Sequence, residues 1–162
     1  MEMLIRRARP DDLAALAEIE ALCFPPRETC SPRLLAERLA GFPECFFLAQ
    51  QGGRILGSVC GMAVDTPRIE DSFYARAALH RPGAPWQTVL SLAVDPSRQG
   101  LGVGQRLMSF YTGVALGRRQ EGLVLACRDG LIPFYRSLGF ARQGPSASRY
   151  GGGTWNEMVL RF

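Results

Sequence analysis

TVLSLAVDPSRQGLGVGQRLM, residues 88–108, is the stretch whose reading decides the fold of this chain. Residues 89–94 are apolar and partly β-branched and are closed off by Asp95-Pro96, which predicts one buried strand ending at a turn. Gln99-Gly100-Leu101-Gly102-Val103-Gly104 follows, and Leu107, Phe110, Tyr111 and Val114 then recur at the spacing of one helix face. Glycines let the backbone turn tightly and approach a ligand. The first turn of a helix presents unpaired N–H groups at the positive end of its dipole, so a pyrophosphate can be held there without a charged side chain. The same order of strand, loop and helix also serves as a plain connection, and the loop alone does not separate the two readings.

Two other phosphate-binding patterns fail on the letters. A nucleoside-triphosphate loop ends in Gly-Lys-Ser/Thr, whereas Gly104 is followed by Gln105-Arg106, so no lysine reaches the phosphates. A dinucleotide fold places its glycines after the first strand, with an acid about 20 residues on at the end of a second strand. Glu121 lies near that distance but precedes the apolar run 123–127 instead of ending it.

Gln99-x-x-Gly102-x-Gly104 after Leu92-Ala93-Val94-Asp95-Pro96 resembles the acetyl-CoA motif of the GNAT N-acetyltransferase superfamily. Downstream, Pro133-Phe134-Tyr135-Arg136-Ser137-Leu138-Gly139-Phe140 is similar to that family's second cofactor segment, a helix ending in Phe-Tyr-x-x-x-Gly-Phe. The resemblance spans nearly the whole chain. It implies an α/β fold, a mostly antiparallel, mixed, twisted sheet flanked by helices in a single domain over residues 1–162. It places acetyl-CoA, as cosubstrate, where two central strands splay apart.

The bulk properties agree with one domain. At 162 residues the chain is long enough for one sizeable core and short for two, and 47% hydrophobic with 21% charged residues is ordinary for a globular protein. The net charge of +4 comes from arginines dispersed along the sequence, without the basic cluster that nucleic-acid binding would show, yet compatible with an anionic ligand. Five cysteines without Cys-x-x-Cys, and a single histidine, His80, do not make the usual zinc sets, so no metal is expected and the thiols fit a reducing cytoplasm. No run approaches the roughly 18 apolar residues of a membrane span, and no charged-then-apolar leader opens the chain.

Outward from the central stretch, residues 3–8 predict a first strand, and Pro10-Asp11-Asp12 a helix start with acids in its first turn. Leu13, Leu16, Ile19 and Leu22 predict one buried face, ending at Phe24-Pro25-Pro26 because two prolines cannot continue a helix. Ser31-Pro32 predicts an N-cap with proline in the first turn of a second helix reaching about Leu39. Residues 44–50 and 54–62 predict a hairpin about Gln51-Gly52-Gly53. Residues 63–85, with Pro67, Pro82, Gly83 and Pro85 and no clear period, predict a functional loop or irregular helix rather than core. A buried strand at 123–127, a short helix at 131–138 and a closing strand at 154–162, approached through Gly151-Gly152-Gly153, complete the order.

A closer likeness is to the arylalkylamine (serotonin) N-acetyltransferase branch, carried by Ala78-Leu79-His80-Arg81-Pro82-Gly83, Leu125-Ala126-Cys127-Arg128-Asp129 and Gly144-Pro145-Ser146. That likeness implies transfer of an acetyl group to a primary amine by direct attack in a ternary complex. Its aromatic pocket falls on Phe24, Pro32, Ala126, Ser148, Arg149, Tyr150 and Trp155, although core packing is the usual fate of aromatics such as Phe24 and Trp155. The cofactor's pantetheine arm and acetyl group fall on the backbone of Leu92, Ala93 and Val94. Its pyrophosphate falls on the amides of Gln99, Gly100, Leu101, Gly102, Val103, Gly104 and Gln105.

The chemistry sets requirements of its own. An alkyl amine of pKa about 10.4 is neutral in only about one part in a thousand at pH 7, so a base must take its proton, and the departing thiolate must receive one. Tyr135 falls on the family's general acid and cofactor contact, a role suited to a phenol. The two strand histidines of the animal serotonin enzymes are Thr88 and Leu90 here, and neither is a base. His80 aligns with a loop histidine and reads as a hydrogen-bonded anchor. A water chain, Ser91 or an acid such as Asp65 is left as the base. The acceptor is therefore open between an arylalkylamine, a polyamine and a peptide amine, and an acyl-CoA-binding sensor without turnover is a second class of function. A monomer or homodimer fits equally well.

Overall fold

The computed structural model describes residues 2–162. Two sheets lie side by side and share one continuous stretch of chain. The first holds β1 (Leu4–Arg7), β2 (Phe46–Gln51), β3 (Arg54–Cys60) and β6 (Ser91–Val94), in that order and wholly antiparallel. The second holds β4 (Ala63–Val64), β5 (Trp86–Val89), β7 (Gly122–Cys127), β9 (Asn156–Arg161) and β8 (Ala141–Pro145), in which only β5 and β7 run parallel. This is the mixed, mostly antiparallel architecture expected from the sequence, and helices α1 (Leu13–Cys23), α2 (Pro32–Gly41), α4 (Val103–Gly117) and α5 (Ile132–Ser137) flank it.

The central strand departs from its prediction. Residues 89–94 do not form one strand: Val89 still pairs with Leu125 of β7, whereas Ser91 pairs with Cys60 of β3, and the chain changes sheet at Leu90. The Leu90 N–H donates to the Cys60 carbonyl (2.8 Å) and the Thr88 N–H to the Met62 carbonyl (2.8 Å), so the stretch is anchored on the β3 side while its β7 side comes free. Beyond Leu90 no ladder joins β6 to β7, and a wedge opens between the sheets. Close approach of backbones makes this handover possible, since a Cβ on Gly61 would lie 1.9 Å from the Thr88 carbonyl oxygen.

Local chemistry accounts for the helices. Ser31 caps α2, its hydroxyl accepting from the Leu34 N–H at 3.2 Å with Pro32 in the first turn. The α4 face toward the sheets is Val103, Leu107, Met108, Tyr111 and Ala115; Phe110, expected on that face, is exposed and rests edge-on against Phe47. On α1, Leu16 and Ile19 are buried as expected, but Leu22 is exposed and the third buried position is Glu20. The segment 63–85 is also corrected: Ala63, Val64, Ile69, Tyr74 and Ala84 are buried, and Val64, Ile69 and Tyr74 join the core beneath α2. Its helical parts are the short α3 (Ser72–Ala75) and a 3-10 turn at Ala77–Leu79, in keeping with the irregular helix expected, and its apolar residues have no period because each is set by tertiary contact. Among the described residues all five cysteines are free, and no helix is long and apolar enough to cross a membrane.

Candidate active site

Where β6 parts from β7, a cavity of about 580 Å³ runs from the glycine loop to α5. Its floor is Leu92 and Val94, its rim Gln99, Gly100, Gly102, Val103, Gly104 and Gln105, and its far wall Phe134 and Tyr135. Gly100 and Gly102 take φ of 83° and 80°, a left-handed backbone that costs other residues about 1–2 kcal/mol. The curl leads into α4, whose first N–H groups, at Val103, Gly104 and Gln105 on the cavity rim, have no intrahelical partner, the first intrahelical donor being the Arg106 N–H, to the Gly102 carbonyl. Asp95 fixes the approach to the loop, accepting from the Ser97 N–H (2.9 Å) and hydroxyl (2.8 Å) and from Arg54 (3.1 Å). Arg98 also lines this cavity, with its Nε buried and unpartnered, a free donor beside the amide cradle. The donor set fits a diphosphate-bearing carrier. Ala93 and Leu101, expected to contribute backbone groups to the cofactor, do not line this cavity with their side chains: Ala93 is buried and Leu101 is 68% exposed.

A second cavity of about 310 Å³ adjoins the first, and Cys23, Phe24, Leu92, Leu131 and Tyr135 line both. Aromatic rings wall it: Tyr74 and Tyr150 stack with centroids 4.0 Å apart, and Trp155 donates to the Tyr150 carbonyl at 2.8 Å. Arg128 lies 3.9 Å over the Trp155 ring, donates to the carbonyls of Gly152 and Thr154, and approaches Glu28 at 3.5 Å. The Tyr150 hydroxyl donates to the Glu28 carbonyl at 3.2 Å, so the glycine-rich loop and the turn after α1 are tied together over the cavity.

Phe24, Ala126, Tyr150 and Trp155, expected from sequence in an acceptor pocket, line this cavity. Pro32, Ser148 and Arg149 do not. Pro32 is exposed in the first turn of α2, the buried Ser148 hydroxyl donates to Asp71 at 2.5 Å, and the Arg149 guanidinium turns back to the carbonyls of Ser146 and Ser148.

Sequence reasoning missed the residue with the most unusual setting. Glu20 is 3% exposed and lines the second cavity, with one carboxylate oxygen accepting from the Ser91 hydroxyl (2.9 Å) and the other from the Cys30 N–H (3.1 Å). Burial raises its pKa, and the Cys30 amide, the Ser91 hydroxyl and the charge of Arg38 pull it partly back. The signal was present in the sequence, because Glu20 stands four residues after Leu16 on the buried face of α1. Asp65 is on neither cavity; it is half-exposed and paired with Arg81 at 2.5 Å. Thr88 is a structural clamp, its hydroxyl bonded to both the N–H and the carbonyl of Met62, and Leu90 is an apolar wall.

Tyr135 stands where the two cavities meet. Its ring is held edge-on by Phe134 and Phe140, with centroids at 5.0 and 5.6 Å, and burial raises its pKa so that the phenol stays protonated.

His80 lies apart from both cavities. It accepts from the Ala63 N–H through Nδ1 at 3.0 Å, which anchors the loop and puts the neutral ring's proton on Nε2, 3.3 Å from Glu44. Glu44, Cys45 and His80 bring three ligand-type atoms within 4.8 Å of one another. A metal at Nε2 would need the opposite tautomer, and the Ala63 hydrogen bond opposes it.

The sequence pattern of the acetyltransferase (GNAT) family matches residues 13–140. The chain is 29% identical over 144 residues to the uncharacterised N-acetyltransferase YkwB of Bacillus subtilis (strain 168), covering 82% of this chain and 62% of that protein, and so spans less than two thirds of that relative's length. It is 30% identical over 154 residues to the serotonin N-acetyltransferase of Mesocricetus auratus, covering 92% of this chain and 72% of that protein. Among solved structures, a GNAT-like decarboxylase, GphF, in complex with isobutyryl-CoA superposes with a TM-score of 0.81 at 24% identity, covering 98% of each chain.

Proposed function

The chain belongs to the acetyltransferase (GNAT) family, and from that premise we propose that it is an N-acetyltransferase that uses acetyl-CoA to acetylate a small primary amine of the arylalkylamine class. The observation that carries this reading is the junction of the two cavities, with Tyr135 shared by both and the buried Glu20 carboxylate in the acceptor side.

Acetyl-CoA supplies an acetyl group activated as a thioester. The amides at the start of α4 and the Arg98 guanidinium hold its diphosphate, and the edge of β6 at Leu92 and Val94, where the Val94 carbonyl accepts from the Cys23 thiol at 3.0 Å, receives its pantetheine arm. On the other side, Phe24, Tyr74, Tyr150 and Trp155 accept an aromatic body, and Glu20 attracts the ammonium end. Ser91 and the Cys30 amide orient the Glu20 carboxylate, which takes one proton from the ammonium and so frees the lone pair that attacks the thioester carbonyl; the nitrogen's second proton passes to solvent as the amide forms. A carboxylate of raised pKa suits this task, because burial narrows the gap to an amine of pKa about 10.4. Tyr135, kept protonated by burial, donates its hydroxyl proton to the departing sulfur and regains one from solvent, while Glu20 returns its proton to solvent. The cavity suits an arylalkylamine better than a polyamine: its walls are aromatic, and its second carboxylate, Glu28, is already matched to Arg128.

The test is release of free CoA from acetyl-CoA with a panel of aryl and aliphatic amines. Amine-dependent release, fastest with arylalkylamines, is expected. Tight acyl-CoA binding with no release above the amine-free control would refute catalysis in favour of a sensor. Release only with peptide amines or polyamines would refute the acceptor class.

A further inference from the structure

Arg38 is an expensive residue for the position it occupies. It is 3% exposed on the inner face of α2, and among the described residues no carboxylate lies within 4.0 Å of its guanidinium. Its hydrogen bonds are to the Tyr74 carbonyl (3.0 Å) and the Cys60 sulfur (3.6 Å), and its Nε is buried without a partner. Burying an unpaired guanidinium opposes folding, and an apolar side chain of similar volume would ordinarily be preferred there.

Its location gives the charge a use. Cys60 on β3 stands directly opposite Ser91 on β6, and side chains opposed in an antiparallel pair share a face. Ser91 in turn donates to Glu20. Arg38, Cys60, Ser91 and Glu20 therefore form one line that runs from the core beneath α2 to the acceptor cavity, which Ser91 and Glu20 line. Glu28 and Arg128 line the same cavity and pair with each other at 3.5 Å; the other ionisable groups that bear on Glu20 are Cys23 on its own helix, Cys30 in the following turn, Cys60 on β3 and Tyr150 in the loop before β9. Burial raises the pKa of each, so they are neutral near pH 7, and Arg38 is the charged group whose field bears on the carboxyl.

Resting on the assignment of Glu20 as base, we propose that Arg38 is a positioning residue of the reaction, which acts through Glu20 by keeping the carboxylate ionised and ready to receive the amine's proton. The buried cation offsets the desolvation of a base that must be dry to be effective. A guanidinium holds this role at every working pH because it does not lose its proton.

The experiment is the pH profile of kcat/KM for the wild type, Glu20→Gln, Arg38→Lys, Arg38→Met and Arg38→Gln, with folding checked by circular dichroism and thermal melting. In the two neutral variants the ascending limb should move to higher pH by on the order of one unit, with the high-pH plateau changed less than threefold, and Arg38→Lys should restore the limb. A limb that stays in place in a folded neutral variant would overturn the proposal, as would a plateau that falls with no shift. Failure of both neutral variants to fold would make the cation a requirement of the fold and overturn the tuning role as well. Glu20→Gln separates the two claims. If it leaves the limb intact, the base assignment fails; if it removes the limb while the Arg38 variants do not move it, only the role of Arg38 fails.

Discussion

Replacing Glu20 with glutamine keeps the shape and acceptor oxygen of the side chain and removes its capacity to take a proton. The magnitude follows from the amine. With a pKa about 10.4, about one molecule in a thousand is neutral at pH 7, and a positioned base typically contributes 10²–10⁴ in rate. Glu20→Gln should therefore lower kcat/KM at pH 7 by about 10²–10³-fold, and the variant should recover about tenfold per pH unit as solvent deprotonates the amine. The wild type should instead rise with pH through the raised pKa of Glu20 and level off. Stability should move differently from activity. A carboxyl whose folded pKa lies above its unfolded value contributes stability that is fully present below the unfolded pKa and lost as pH rises through the folded one. At neutral pH the buried charge thus opposes folding, and the variant should melt no lower than the wild type. The assay is initial-rate CoA release from pH 5.5 to 10 beside a melting curve at each pH. A variant with more than half of wild-type kcat/KM at pH 7 and an unchanged pH profile would refute the assignment.

Tyr135→Phe should lower turnover at least tenfold with little loss of CoA affinity, because the ring and its packing remain and only the hydroxyl is lost; unchanged turnover would remove Tyr135 from the mechanism. Gly102→Ala meets no crowding, since an added Cβ comes no nearer than 3.9 Å to Gln105, but it forces a side-chain-bearing residue to φ of 80°. That strain of about 1–2 kcal/mol should weaken acetyl-CoA binding roughly 5- to 30-fold by calorimetry, and full affinity would show that the loop is not the cradle. Arg98→Ala should weaken CoA binding and reduce its dependence on salt, measured as affinity between low and moderate ionic strength; an unchanged salt slope would place Arg98 outside the anion site. Leu107→Ala, at a fully buried position on α4, should cost about 2–5 kcal/mol of stability in denaturant unfolding, and a smaller loss would mean that the site collapses to fill the space.

What the sequence showed and what it hid have distinct physical causes. The Ser31-Pro32 cap, the turn at Gly52-Gly53 and the strand, loop and helix around Gly102 were legible because each is specified by its own neighbours. The change of sheet at Leu90 was not: residues 89–94 read as one apolar run, and only the competition between Cys60 and Leu125 for partners divides it. Pro32, Ser148 and Arg149 were placed by likeness: α2 holds Pro32 exposed in its first turn, and Asp71 captures the Ser148 hydroxyl and the Arg149 N–H, which carries that loop's side chains outside the cavity. Glu20 and Arg38 were hidden for the opposite reason: each sits on a helix face whose other members are apolar, and the meaning of a charge there depends on a strand far away in sequence. Tyr135 was legible as a motif, yet its place at the junction of two cavities needed the fold.

The most direct test of the account is an amide NMR titration with CoA and, in parallel, with pantetheine, which carries the same thiol arm without the diphosphate. The amides of Gly100, Gly102, Val103, Gly104 and Gln105 should shift with CoA and stay in place with pantetheine, while Leu92 and Val94 respond to both. Amides at the start of α4 that do not move at saturating CoA would contradict the claim that this turn of backbone holds the carrier.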